Sequence, residues 1–265
     1  MPYIATPGLR VHVIDEGEHD PLVLLHGFPL SHEMWDAQRR EFRNTHRVII
    51  PDLRGFGRST SQDEIVSMDQ FADDVAALLE AMDISQPVML CGLSMGGYIA
   101  MALARRYPQR LGRLILTNTK SLPDTQEAAT NRERMANLVL KEGPTPLVAA
   151  MMPRLFGPRT NEHRPQVVDA VRNVMLANSS RAIAAAQRGM AIRPDSTPSL
   201  KEITVPTLVI ASEHDAISPP EEMRTFAAEI PHCEFVLIPG VGHMTPMEAP
   251  QEFNAAVRSW LQRTA

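Results

Sequence analysis

At 265 residues the chain is near the upper limit of what one hydrophobic core serves, which favours one domain carrying an insertion over two equal domains. Hydrophobic residues at 44% and charged residues at 22% exclude a disordered chain. A formal net charge of -5, spread over short mixed-sign stretches, argues against a nucleic-acid partner, which would need a basic face.

The amino terminus, MPYIATPGLRVHVIDEG, lacks the charged start and apolar stretch of a signal peptide. No apolar run reaches the roughly 18 residues of a membrane span. The expectation is a cytoplasmic protein with no membrane partner. Extended patterns at 9–15, 21–26 and 47–52 predict strands. The spacing of Met68, Phe71, Ala72, Val75, Leu78, Leu79 and Met82 predicts a helix with one apolar stripe, opened by a capping box of Ser67 and Gln70. Near-continuous apolar runs at 87–93 and 111–117 have the character of strands buried on both faces. The helical stretch 95–107 between them stops at Pro108.

From 120 to about 200 the chain changes to helical pieces rich in Met, Ala and Arg, broken by Pro123, Pro144, Pro146, Pro153, Pro158, Pro165, Pro194 and Pro198. This predicts an inserted helical cap over 120–200, dividing a core of 1–119 and 201–265. The alternation resumes with a strand at 205–211, a helix at 219–229, a strand at 233–238 and a helix ending near Leu261. Alternating units of this kind predict an α/β fold, a mostly parallel sheet with helices on both faces, and a ligand site beyond the carboxyl ends of the strands. Cys91 and Cys233 have no metal-type spacing, so both are expected as reduced thiols and no metal is expected.

Gly92-Leu93-Ser94-Met95-Gly96 is a G-x-S-x-G pentapeptide between an apolar run and a helix, the strand-turn-helix context of a nucleophile elbow. An ordinary helix N-cap is the bland alternative for Ser94. A phosphate loop fails because no Lys-Ser or Lys-Thr closes the glycines. The order serine, acid, histidine then prunes the partners. His163 lies in the cap, and His232 precedes the strand 233–238 and so sits at its wrong edge. His243 follows that strand. Asp215 follows the strand 205–211 to the same edge, with Glu213 as competitor and the longer loop favouring Asp215. For the oxyanion of a tetrahedral intermediate the candidate donors are the backbone N–H groups of Met95 and Phe28.

The segments LLHGFPLSHEMW, PDLRGFGRS, GLSMGG, SEHD and GVGHMTPMEAP resemble the α/β-hydrolase superfamily. The similarity is greatest to its capped carboxylesterase and lactonase branch, which includes 3-oxoadipate enol-lactonases and acyl-homoserine lactone hydrolases. The resemblance implies the same residues: Ser94 as nucleophile, Asp215 as acid, His243 as base, and the amides of Phe28 and Met95. Serine at the elbow departs from the epoxide hydrolase and haloalkane dehalogenase pattern, which carries aspartate there.

The expected function is hydrolysis of a small-molecule ester or lactone through an acyl-enzyme, without cofactor. Met151, Met152, Leu155, Phe156, Met175 and Met190 are expected as a pliable apolar pocket wall, with simple helix core as the alternative. Arg154, Arg159 and Arg164 would suit an acidic substrate if they face it. The rivals are hydrolysis of a carbon-carbon bond in a vinylogous diketone, a non-catalytic small-molecule receptor, and perhydrolase or acyl-transfer activity.

Overall fold

A computed structural model describes residues 3–264. In chain order the strands are β1 (Tyr3–Thr6), β2 (Leu9–Glu16), β3 (Pro21–Leu25), β4 (Arg47–Pro51), β5 (Val88–Leu93), β6 (Leu111–Thr117), β7 (Thr207–Ser212) and β8 (Cys233–Ile238). The helices between and after them are α1 (Asp36–Phe42), α2 (Met68–Ala81), α3 (Met95–Arg106), α4 (Gln126–Glu142), α5 (Thr145–Met151), α6 (Pro158–His163), α7 (Pro165–Ala177), α8 (Ser180–Ala191), α9 (Pro220–Ala227), α10 (Thr245–Glu248) and α11 (Pro250–Arg263).

The strands form one eight-stranded sheet in the order β1-β2-β4-β3-β5-β6-β7-β8. β1 and β2 pair antiparallel, β2 pairs antiparallel with β4, and every pairing from β4 to β8 is parallel. Strand periodicity divides the side chains into two apolar layers. Val23, Leu25, Ile49, Leu90, Leu114 and Val209 face a layer covered by α2, α3 and α9. Leu22, Leu24, Val48, Ile50, Ile115 and Leu208 face the layer covered by α1 and α11. Because β3, β5 and β7 are buried along their whole length, their sequences are apolar runs rather than alternations. Each fully buried Leu, Ile or Phe in these layers contributes about 1.5–3 kcal/mol relative to exposure.

The expected elements are present, with local differences. Ser67 caps α2 by accepting the Gln70 N–H at 3.1 Å. The strand expected at 205–211 starts later, at Thr207, because Pro206 has no N–H for the ladder. Tyr3–Thr6 and the helical stretch from His32 to Phe42 carry no periodic pattern long enough to predict them. Helices α4 to α8 all fall between β6 and β7. Asn178 ties the end of α7 to two core loops: its Nδ2 donates to the Pro29 carbonyl at 2.9 Å, and its Oδ1 accepts the Gly57 N–H at 2.8 Å. Cys91 and Cys233 are unpaired. Among the described residues no helix is long and apolar enough to cross a membrane.

Candidate active site

β5 delivers Ser94 at the carboxyl edge of the sheet, directly before α3. Its backbone has φ 55 and ψ -113, a region that residues with a Cβ seldom occupy. Three contacts hold it there. The Ser94 N–H donates to the Thr117 carbonyl at 3.1 Å, the Ser94 carbonyl accepts Thr119 Oγ1 at 2.8 Å, and the same carbonyl accepts the Gly97 N–H at 2.9 Å. The turn is tight enough that a Cβ on Gly92 would lie 2.2 Å from the Gly96 carbonyl oxygen.

Asp215 and His243 reach the same edge from β7 and β8. Both are buried, at 4% and 3% exposure, so their pairing is scarcely screened by solvent. His243 Nδ1 lies 2.8 Å from Asp215 Oδ2. A carboxylate only accepts, so Nδ1 is the donor, and in the neutral imidazole Nε2 is then the nitrogen with the lone pair. Asp215 Oδ1 accepts the N–H groups of Ile217 and Ser218 at 2.7 and 2.9 Å, and Oδ2 also accepts Asn118 Nδ2 at 2.9 Å. Burial alone would raise the Asp215 carboxyl. The facing His243, the Ser218 amide and Asn118 outweigh it and hold the group below the ordinary carboxylate value. The competitor Glu213 is turned away and accepts the Gly240 N–H at 2.9 Å.

Among the described residues Ser94 Oγ makes no direct hydrogen bond to the imidazole; such bonds are often long in unliganded sites. The elements are joined through β6 instead. Thr117 and Thr119 hold the Ser94 backbone, and Asn118 between them holds Asp215 and donates to Ser212 Oγ at 2.7 Å. Asn118 itself has φ 46, which Asn tolerates better than most residues. Sequence reasoning missed it; the available signal was a buried-run strand ending in Asn at the ligand edge.

The proposed oxyanion loop follows β3. A Cβ on Gly27 would lie 2.6 Å from Leu93 Cδ2 and 3.5 Å from Ser94 Cβ, so this loop passes beside the elbow. Phe28 is buried behind it and its peptide bond to Pro29 is cis. His26 braces the turn: Nδ1 lies 2.9 Å from the Gly27 carbonyl, and Nε2 accepts the Leu53 N–H at 3.0 Å. Burial in this neutral role pushes the His26 pKa down to about 4. Met95, the other candidate donor, is fully buried at the first turn of α3, where backbone N–H groups have no intrahelical acceptor.

The residues expected as a pocket wall are not brought together as one surface. Leu155, Phe156 and Met175 are buried in the layer shared with α11, and Met190 in the opposite layer with α2 and α3. Met151 and Met152 are half-buried, Met151 touching both layers. The arginines bind protein groups: Arg154 the Ala216 carbonyl at 3.0 Å, Arg159 the Glu252 carboxylate at 3.4 Å, and Arg164 the Met247 carbonyl at 3.3 Å. A groove of about 880 Å³ instead lies between the loop from Leu30 to Asp36, Arg58 and the α7 face of Val171 and Val174, with Met247 on its wall.

Among the described residues one set could hold a metal: His12, His32 and Asp52, whose ligand atoms lie within 4.8 Å of one another. Asp52 already accepts four donors: His12 Nδ1 at 2.9 Å, His32 Nδ1 at 2.8 Å, the His32 N–H at 2.8 Å and the Arg58 N–H at 3.0 Å. Burial would raise this carboxyl, and the His32 and Arg58 donors overcome it to bring the pKa to about 2. Its lone pairs are spent on joining β2 to the loops after β3 and β4.

Known proteins resemble this chain over nearly its whole length. A thermophilic esterase from Thermogutta terrifontis is 44% identical, with a TM-score of 0.97 over 99% of this chain and 98% of that one. A 3-oxoadipate enol-lactonase from Acinetobacter baylyi is 29% identical over 96% of this chain and 93% of its own length. A solved enzyme described as degrading N-acyl homoserine lactones is 26% identical, with a TM-score of 0.82 over 97% of this chain and 99% of that one. The family model for the alpha/beta hydrolase fold matches residues 20–250. A serine at a strained elbow, a buried His–Asp pair at the same sheet edge and this match together place the chain in the α/β-hydrolase family.

Proposed function

We propose that the protein is a serine hydrolase of carboxylic esters or lactones that works through an acyl-enzyme. The observation that carries this reading is the His243–Asp215 pair, whose 2.8 Å contact makes Nδ1 the donor and so makes Nε2 the accepting nitrogen of the neutral imidazole, at the edge where β5 presents Ser94. His243 takes the Ser94 proton as the oxygen adds to the carbonyl carbon. Asp215 steadies the resulting imidazolium, and the amides of Phe28 and Met95 receive the oxyanion. Collapse expels the alcohol, which takes the proton from His243. Water activated by the same imidazole then cleaves the acyl-serine, and with a lactone the alcohol stays attached to the acid product. The chemistry requires no cofactor.

Residues 120–200 act in this reading as a cap whose fit to the core selects the acyl portion, and the two unpaired cysteines suit a cytoplasmic location. The esterase and lactonase relatives support the substrate class. The test is a panel of esters and lactones of graded acyl length, assayed with wild type and Ser94→Ala. Turnover is expected to fall at least 1000-fold in the variant, with an unchanged circular dichroism spectrum. Near wild-type hydrolysis by a folded Ser94→Ala would refute the assignment.

A further inference from the structure

The carboxylate of Glu248, on α10, is almost completely buried at 1% exposure, and among the described residues no basic side chain forms an ion pair with it. Its Oε1 accepts the N–H of Gly242 at 2.9 Å and of Met244 at 3.1 Å, the residues on either side of His243. Its Oε2 accepts the N–H of Gly157 at 2.9 Å, from the segment that leads into α6. That segment also grips the histidine directly: the Leu155 carbonyl accepts the His243 N–H at 2.8 Å and the Met244 N–H at 3.3 Å. The two strips lie backbone to backbone. A Cβ on Gly242 would meet the Gly157 nitrogen at 2.5 Å, and a Cβ on Gly157 would meet the Val241 backbone at 2.7 Å.

We infer that Glu248 is a positioning residue that clamps the His243 loop to the Leu155–Gly157 strip, so that the base is held in register by the inserted helical segment as well as by the sheet. A short buried carboxylate that accepts three amides fixes both loops at once, which water or an apolar side chain cannot do. Burial pushes the Glu248 carboxyl above its ordinary value despite the Thr160 hydroxyl and the Gly157, Gly242 and Met244 amides. An unshared buried carboxyl retained at that cost is consistent with a role in placing the imidazole. The inference rests on the reading of His243 as the base.

The substitution Glu248→Gln tests it. Glutamine retains one acceptor oxygen and sets an NH₂ group against the remaining N–H donors, so one arm of the clamp opens while the side-chain volume is kept. With p-nitrophenyl acetate, kcat is expected to fall 10- to 100-fold with KM within about threefold of wild type, the split for a misplaced base rather than a lost binding contact. Labelling of Ser94 by a fluorophosphonate should slow by the same factor, and the downfield proton resonance of His243 Nδ1 should weaken. Should Glu248→Gln not fold, Glu248→Asp, which keeps the charge but is one CH₂ too short to reach both strips, is expected to give the same split. A folded variant with kcat within twofold of wild type, or a loss residing in KM alone, overturns the inference. Ser94→Ala assayed alongside separates the two claims, since turnover retained there defeats the hydrolase reading itself.

Discussion

Asn118 and His243 meet at one carboxylate oxygen, Asp215 Oδ2, at 2.9 and 2.8 Å. The amide comes from the end of β6 and also donates to Ser212 Oγ, so it sets the carboxylate against the imidazole. Asn118→Gly removes both hydrogen bonds while keeping the φ of 46 accessible. The expected outcome is a roughly 10-fold loss of kcat and a destabilisation of about 1–3 kcal/mol, read from initial rates and urea denaturation. Asn118→Ala should lose about 1 kcal/mol more, because alanine resists the left-handed region.

Ser94→Gly should stabilise the fold while abolishing activity. Glycine relieves the φ of 55, and the gain, less the added entropy of the unfolded chain, comes to about 1 kcal/mol. Scanning calorimetry should show a melting temperature raised by about 2–4 °C. An unchanged or lower value would mean that the elbow stores no such strain.

Two glycines beside the elbow should fail differently. A Cβ on Gly92 meets backbone, the Gly96 carbonyl oxygen at 2.2 Å, whereas one on Gly27 meets the end of a side chain, Leu93 Cδ2, at 2.6 Å. Gly92→Ala is expected to cost more than about 3 kcal/mol and to lower soluble yield. Gly27→Ala should fold within about 1–2 kcal/mol of wild type and lose activity on the order of 100-fold as the Phe28 amide is displaced. Thermal melts paired with rates distinguish them.

Stability should decline as pH falls below neutrality because of His26. The unfolded imidazole takes up a proton at 6.5, whereas burial holds the folded group at about 4. The unfolded chain therefore binds more protons across that interval. The contribution is fully present above pH 6.5 and is lost as pH falls to about 4, amounting to about 3 kcal/mol. Asp52 and Asp215, both held below 3.8, give up their contributions only at still lower pH. Urea midpoints between pH 7 and pH 4.5 should fall in wild type and change much less in His26→Asn.

The strands, the serine and the histidine were legible because each is a local signal. A buried strand is an apolar run, and the elbow is a pentapeptide between strand and helix. Asp215 over Glu213 beside the imidazole was legible only as a matter of loop reach: in the structure Asp215 contacts His243 and Glu213 accepts the Gly240 amide. Asn118 and Glu248 were not legible, since each works through amides and carboxylates brought together from distant parts of the chain. The methionines were ambiguous for a similar reason. Helical spacing shows that Met175 and Met190 have a buried face, but only packing shows that they point into opposite layers.

The helical segment α4 to α8 leaves the sheet at Thr117 and returns at Thr207, on strands that are hydrogen-bonded neighbours with Leu114 opposite Thr207 and Thr117 opposite Ile210. Its two anchor points are therefore fixed by a ladder that does not depend on what lies between them, and lengthening the excursion adds little closure entropy. Under the proposed cap reading, such a junction would let one set of helices be exchanged for another while the sheet stays intact, provided that the replacement still offers a carbonyl to the His243 N–H and an amide to Glu248, as Leu155 and Gly157 do.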